Sequence, residues 1–109
     1  MKISDLCKVL DLTPHALPAP EREITGVYIG DLLSWVMGRA KEGNVWITIM
    51  SNQNCIAVAT LSDVSAILLA EGVVPDAQLC ALAMTKGINL LSCQEPAYEA
   101  AVRLSALPL

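Results

Sequence analysis

The sequence predicts a small three-layer α/β domain, in which a mostly parallel sheet carries helices on both faces. Val45–Met50 (VWITIM) and Ala66–Ala70 (AILLA) are apolar runs of strand length, and segments with helical spacing lie between such runs. Strands and helices that alternate in this way form βαβ crossovers, which build parallel sheets. With 109 residues, the chain has room for one domain of the usual size of about 100 to 150 residues.

Residues 1–20 are predicted to form a short helix followed by a proline-rich arm. Ser4 is a suitable helix cap, and the apolar residues after it recur at i, i+3 and i+4 until about Asp11. Thr13–Pro20 holds three of the six prolines. Because proline cannot continue a helix, we expect this arm to cross the surface in extended form.

The first predicted βαβ unit begins after the arm. Ile24–Ile29 is rich in β-branched residues and is predicted to be a strand. Gly30 and Asp31 supply a turn and a helix cap, and a helix begins at Leu32. Val45–Met50 is apolar throughout, as expected for a strand covered on both faces, and is predicted to be the central strand.

The rest of the chain continues the alternation. The predicted elements are a helix over Cys55–Leu61, a strand over Ala66–Ala70, a helix from Pro75 to Gly87, a strand over Ile88–Leu91, and a helix from Pro96 that ends before Pro108. The β-branched residues of Cys55–Leu61 would also suit a strand, but its alanines and the cap-forming residues before it favour a helix.

Charge and hydropathy restrict the possible partners. The net charge is −4, which argues against nucleic acid, because phosphate neutralisation needs clustered Lys and Arg. No apolar run approaches the roughly 18 to 20 residues of a membrane span, and residues 1–10 do not resemble a signal peptide, so we expect a cytoplasmic protein. Only 17% of residues are charged while 54% are hydrophobic, which predicts a homo-oligomer or a larger protein partner.

Cysteine spacing predicts neither a metal site nor a cofactor. Cys7, Cys55, Cys80 and Cys93 include no CxxC pair, and His15 is the sole histidine. A zinc or iron–sulfur site usually takes at least two ligands from one short turn. Four free thiols are therefore favoured over disulfides, and His15 is predicted to be a solvated residue of the arm.

Four loops at the predicted carboxyl ends of strands are the candidate ligand sites, because helix N-termini there favour anions. They are Tyr28–Asp31, Ser51–Asn54, Glu71–Asp76 and Ser92–Glu95. The second is richest in hydrogen-bonding side chains, namely Ser51, Asn52, Gln53 and Asn54. The alternative is that these side chains only cap their own helix.

Catalytic motifs are sparse. The chain contains neither GxxxxGK[ST] nor GxGxxG, and no Ser/His/Asp or Cys/His set can be assembled from neighbouring positions. Cys93 is the best thiol candidate because it follows a strand and precedes a helix, a position that can lower a thiol pKa, although a passive packed cysteine is the simpler interpretation.

Trp35, Val36 and Met37 are consecutive large apolar residues in a predicted helix. A helix must turn at least one of them away from its own sheet. That side chain is either an interface anchor or is buried beneath the proline-rich arm, and the sequence favours neither.

Three stretches of the chain resemble the DRTGG domain, which is related to the amino-terminal domain of bacterial HPr kinase/phosphorylase. Residues 21–27 read EREITGV, residues 28–34 read YIGDLLS and residues 45–59 read VWITIMSNQNCIAVA. Arg22, Thr25 and Gly26 occupy positions of the family signature, while Val27 replaces its second glycine and Asn52 lies where relatives often carry histidine. The resemblance covers nearly the whole chain and implies a free-standing α/β regulatory module that tends to dimerise.

Three functions follow as hypotheses. The first is a non-catalytic regulatory or protein-interaction module that acts as a homodimer. The second is a sensor of an adenine nucleotide or another phosphate ligand, bound at Ser51–Asn54 with Arg22 or Thr25 nearby, since relatives linked to CBS domains bind adenine nucleotides. The third is a thiol enzyme or a subunit of an enzyme related to HPr serine kinase. The candidate ligand-binding residues are Arg22, Thr25, Gly26, Tyr28, Ser51, Asn52, Gln53 and Asn54.

Overall fold

Five strands form one mixed sheet and five helices cover its faces in the computed structural model, which describes residues 1–109. In chain order the elements are α1 (Ile3–Val9), β1 (Thr13–Ala16), β2 (Gly26–Ile29), α2 (Leu33–Arg39), β3 (Asn44–Thr48), α3 (Gln53–Ser62), β4 (Ala66–Leu69), α4 (Ala77–Lys86), β5 (Leu90–Ser92) and α5 (Ala97–Ser105). The strands lie in the order β1-β5-β4-β3-β2.

The sheet is parallel except at one edge. β2, β3, β4 and β5 are parallel neighbours in chain order, whereas β1 is antiparallel to β5. One core cluster joins the sheet to α2, α3 and α4, and a second joins its other face to α1 and α5. The predicted three-layer α/β fold with helices on both faces is therefore confirmed.

Strands β3 and β4 form the interior of the sheet. All five residues of β3 and all four of β4 are buried, as expected for parallel strands covered on both faces. β4 rather than β3 occupies the middle position, so the prediction that VWITIM is the central strand is correct only in placing it in the interior. The indole of Trp46, wholly buried, donates a hydrogen bond to the Gly30 carbonyl at 2.8 Å.

The predicted proline-rich arm is part of the sheet. Its first half is β1, which pairs with β5 as the antiparallel edge strand. Pro14 is tolerated because an edge strand does not need every backbone N–H for pairing. The helix before it is capped at Lys2 rather than Ser4, and it ends at Val9, shortly before Asp11 takes a left-handed φ of 52°.

Helix α3 begins two residues before the predicted Cys55 and ends one residue after the predicted Leu61, while α4 lies within the predicted range from Pro75 to Gly87. The Asn52 side chain accepts a hydrogen bond from the Asn54 N–H at 2.9 Å, and the Asp76 side chain accepts one from the Leu79 N–H at 2.8 Å. Gly87 ends α4 with a φ of 75°, which glycine adopts without strain. No helix of the chain has the length and apolar character that a membrane crossing requires.

Candidate functional site

The loops that follow the parallel strands meet at one edge of the sheet, here called the carboxyl edge. A pocket of about 190 Å³ lies between the beginnings of α3 and α4. Its lining residues are Ser51, Asn52, Gln53, Asp76, Gln78 and Leu79. The predicted Ser51–Asn54 loop thus contributes three residues to a pocket, and two helix N-termini face the same space.

The side chains of this pocket offer hydrogen bonds but no cation. The Asn52 oxygen already caps α3, which bears out the capping alternative for that residue. The Asp76 carboxylate caps α4 and adds negative charge to the lining. An anionic ligand would therefore depend on the free N–H groups of the first helical turns, whereas the exposed Ser51 and Gln53 side chains suit uncharged polar groups.

Asp31 has a role at this edge that the sequence does not reveal. It does not cap α2, which begins after Leu32 without a side-chain cap. Its Oδ1 instead accepts hydrogen bonds from the Thr48 hydroxyl at 2.7 Å and from the Ile49 N–H at 3.1 Å. The Asp31 carboxylate therefore ties the exit of β2 to the exit of β3.

Arg22 lies at the opposite edge, where the parallel strands begin. Its guanidinium donates to the Asp63 carboxylate and to the Asp63 carbonyl, both at 2.9 Å. Asp63 ends α3 in a left-handed conformation and its carbonyl also accepts from the Gly43 N–H at 2.9 Å. Arg22 thus joins the segment before β2 to the end of α3.

Thr25 completes this set of contacts. Its hydroxyl donates to the Glu42 carbonyl at 2.7 Å and accepts from the Asn44 Nδ2 at 3.3 Å. Gly26 pairs with Asn44 across the two strands, and a Cβ on Gly26 would lie 3.3 Å from the Asn44 Nδ2. We call the group of Arg22, Thr25, Gly43, Asn44 and Asp63 the amino-edge joint.

The candidate ligand residues therefore lie at opposite ends of the parallel strands. The amino-edge joint and the Ser51–Asn54 loop are separated by the length of β3, about 13 Å at roughly 3.3 Å per residue. The prediction that Arg22 or Thr25 lies near that loop is wrong. Tyr28 is half-buried against the core beneath α2, α3 and α4, and it lines none of the pockets.

His15 is fixed rather than solvated. One of its ring nitrogens, Nε2, lies 2.7 Å from the hydroxyl of Ser92, a buried residue of β5. The sequence separates the two residues by 77 positions, so only strand pairing brings them together. Neither lines a pocket, and the contact serves to hold β1 against β5.

Cys93 lines a second pocket, of about 210 Å³, together with Arg103 and Glu95. Burial raises the pKa of its thiol, and the nearby positive charge of Arg103 offsets only part of that rise. This position therefore does not lower the pKa of Cys93, which favours the simpler interpretation of a passive packed cysteine. Arg103 itself is engaged, because it pairs with the Glu95 carboxylate and donates to the Leu10 carbonyl at 2.7 Å.

The three apolar residues of α2 have different environments. Val36 is wholly buried in the core, so it is not an interface residue. Trp35 and Met37 are each about half exposed, and the Arg39 guanidinium lies 3.7 Å from the centroid of the Trp35 ring. The predicted arm forms β1, which is the edge strand on the side of the sheet far from β2 and α2. Burial of Trp35 beneath the arm is therefore excluded.

The largest concave surface is an open groove between α3 and α4 of about 500 Å³. Residues that line it include Asn54, Ile56, Thr60, Leu61, Leu82 and Lys86, and Lys86 is its one titratable group. No cluster of three or more His, Cys, Asp or Glu side chains could hold a metal ion.

Comparison with known proteins gives a structural match alone. No family model and no curated protein matches the sequence. Among solved structures, the fold matches the crystal structure of the CBS and DRTGG domains of the regulatory region of Clostridium perfringens pyrophosphatase, complexed with its activator diadenosine tetraphosphate. The TM-score is 0.71 at 16% identity over 94% of this chain, which spans 45% of that chain. The likeness shows a related α/β domain fold.

Proposed function

We propose that this chain is a non-catalytic regulatory module that acts as a homodimer. The observation that carries the proposal is the amount of apolar surface left uncovered around a well-filled core. Eleven large hydrophobic side chains are 47% to 75% exposed, although the chain has few charged residues to separate them. Where exposed apolar side chains form a contiguous patch, they are typical of protein interfaces. The likeness in fold to part of a regulatory region supports the regulatory role.

Several side chains that could perform acid–base chemistry have structural partners. Asp31 accepts two hydrogen bonds from β3 and the residue after it, His15 contacts Ser92, and Arg103 pairs with Glu95. Burial raises the pKa of the Cys93 thiol, which lowers the fraction of reactive thiolate at neutral pH. These contacts support a role in binding rather than catalysis.

Sedimentation velocity tests the homodimer. At micromolar concentration we expect a species of twice the 11.6 kDa chain mass, which dissociates on dilution. A particle of 11.6 kDa at every concentration, with no partner recovered from cell extract, would refute the proposed function.

A second candidate function is a sensor of an adenine nucleotide or another phosphate ligand at the carboxyl edge. The favouring observation is the pocket between α3 and α4, where two helix N-termini and the Ser51 and Gln53 side chains can donate hydrogen bonds. The structural neighbour was crystallised with an adenine dinucleotide. In this chain the amino-edge joint takes no part in binding, because it lies at the other end of the strands.

A thermal-shift assay with ATP, diadenosine tetraphosphate and inorganic phosphate tests the sensor. At about 100 times the dissociation constant, a bound ligand stabilises the chain by roughly 2.7 kcal/mol. Ser51→Glu, which places a charge in the pocket lining, should abolish the shift. Ser34→Glu, at an exposed position in the first turn of α2, should preserve it. The sensor hypothesis fails if none of the three compounds changes the melting temperature.

A further inference from the structure

The two edge strands of the sheet, β1 and β2, differ in how well they are protected against pairing with a strand of another chain. At one edge, β1 carries Pro14, which has no N–H to offer a second strand. At the other edge, β2 reads GVYI and contains neither proline nor charge. Natural proteins usually block an exposed edge strand with such residues or cover it. The unblocked edge of β2 is therefore available to another strand.

We propose that two copies of the chain join through β2, with the two β2 strands antiparallel, so that a single ten-stranded sheet crosses the dimer. The inference rests on the proposed homodimer and adds the surface through which it forms. A two-fold axis perpendicular to the sheet relates the copies. It pairs the free backbone groups of each β2 and places the same helix layer of both copies side by side.

Helix α2 supplies apolar side chains on one face of this edge. Leu32 is the extended N-cap residue of α2, and Trp35 lies in the first turn of the helix. Val36 points into the core, and the right-handed crossover usual for a β2–α2–β3 unit then turns Trp35 toward the open side of β2, away from α3. Both side chains are more than half exposed in the single chain.

Helix α5 supplies an apolar side chain on the opposite face. It contacts β2 and β3, and Arg103 on one flank donates to the Leu10 carbonyl at the end of α1. Tyr98 lies on the other flank, away from α1 and toward β2, whereas Val102 lies opposite the buried Ala100 and Leu104 and faces solvent. Tyr98 is 75% exposed and Val102 is 48% exposed.

The area available is sufficient for a specific dimer. Trp35 and Tyr98 together expose on the order of 250 Å², given that an aromatic side chain presents about 150–250 Å² when fully accessible. Ile29 and Leu32 add roughly 50 Å² each. With the backbone of β2, each copy offers at most about 500 Å², so a dimer that covers all of it reaches the approximately 1,000 Å² of a biological interface.

A second copy is the occupant that this surface fits best. A two-fold axis brings the apolar flank of α2 against α2 of the second copy, and the flank of α5 against α5 of the second copy. Because β2 carries no charge, identical strands do not repel each other when they pair. A protein of different sequence would not present the same apolar flanks and uncharged strand, so the match between identical surfaces favours a second copy.

Sedimentation velocity of charged variants tests the inference. Trp35→Glu and Tyr98→Glu each place a carboxylate in the interface, one on each face of the sheet. Both positions are exposed in the single chain, so circular dichroism should stay that of the native fold. Each variant should raise the dissociation constant of the dimer by about tenfold or more. Leu61→Glu is the matched control, because Leu61 is 73% exposed on α3, away from β2.

The outcomes separate this inference from the proposed function. If the native chain is monomeric, the homodimer itself is refuted. If the native chain is dimeric and both Trp35→Glu and Tyr98→Glu remain as dimeric as Leu61→Glu, the dimer exists but does not use β2. Loss of the dimer in Leu61→Glu alone would place the interface on the groove between α3 and α4.

Discussion

At the scale of single residues, side chains whose types suggest ligand binding hold the backbone together instead. Arg22 is bonded to Asp63, which is 41 positions away, and Thr25 to the carbonyl of Glu42, which is 17 positions away. Sequence spacing cannot reveal such partners, because they meet only after the sheet has formed. By contrast, the caps of α3 and α4 could be predicted, since Asn52 and Asp76 bond residues two or three positions ahead.

Thr25→Val tests the amino-edge joint. The substitution keeps the shape of the side chain but leaves the Glu42 carbonyl and the buried Asn44 amide without their partner. We expect the free energy of unfolding to fall by about 0.5–1.5 kcal/mol in urea denaturation, because water can still reach the exposed Glu42 carbonyl. Thr25→Ser keeps the hydroxyl and should lose much less. A Thr25→Val chain that is fully stable but no longer responds to nucleotide would instead indicate a ligand contact.

The alkylation rate of Cys93 tests the absence of a reactive thiol. Burial raises the pKa of Cys93 above its ordinary value of 9.0, so less thiolate is present at neutral pH than in an unfolded chain. Iodoacetamide labelling followed by mass spectrometry should show slower reaction in the native chain than in urea, with a midpoint of the pH–rate curve above 9.0. Faster labelling of the native chain at pH 7 would point to an activated thiol.

At the scale of elements, the βαβ alternation could be predicted because apolar runs and helix stops recur along the chain. The missed element is β1, since its Pro14 and short length conceal a strand whose pairing depends on β5, far away in sequence. Helix α2 runs one residue past Gly38, which is helical and exposed, and ends at Arg39. Gly87 therefore ends α4, whereas Gly38 lies inside α2.

A pair of glycine substitutions tests the contacts before β3. Gly43 has a φ of +82°, and an added Cβ would lie 2.6 Å from the Thr25 Cγ2. Gly43→Ala should therefore cost more than about 1–2 kcal/mol in the free energy of unfolding. Gly38→Ala meets no atom within 4 Å and should stabilise α2 by about 0.5–1 kcal/mol. Equal effects of the two substitutions in urea denaturation would contradict the close contact between Gly43 and Thr25 in the amino-edge joint.

At the scale of the whole molecule, the layered architecture could be predicted but the grouping of the site residues was not. In a parallel sheet all strands begin at one edge and end at the other. Thr25 precedes β2 and Ser51 follows β3, so they had to lie at opposite edges once both strands were parallel. The family resemblance grouped residues that the strand direction separates.

The homodimer also predicts a concentration-dependent melting temperature. Because association stabilises the folded chain by mass action, dilution across the dissociation constant should lower the melting temperature of the native protein. Trp35→Glu, with its weaker dimer, should show a smaller change over the same dilution series. Differential scanning fluorimetry of both proteins at matched concentrations provides the comparison, and a native melting temperature that never changes would argue for a monomer.

Hydrogen exchange at β2 tests the central claim most directly. In a dimer joined through this strand, the outward amides of Gly26–Ile29 are hydrogen-bonded to the second copy and exchange slowly. Mass spectrometry at concentrations above and below the dissociation constant should therefore show slower exchange over Gly26–Ile29 in the concentrated sample, with β1 unchanged. Equal exchange of β2 in the dimeric and monomeric samples would contradict the account.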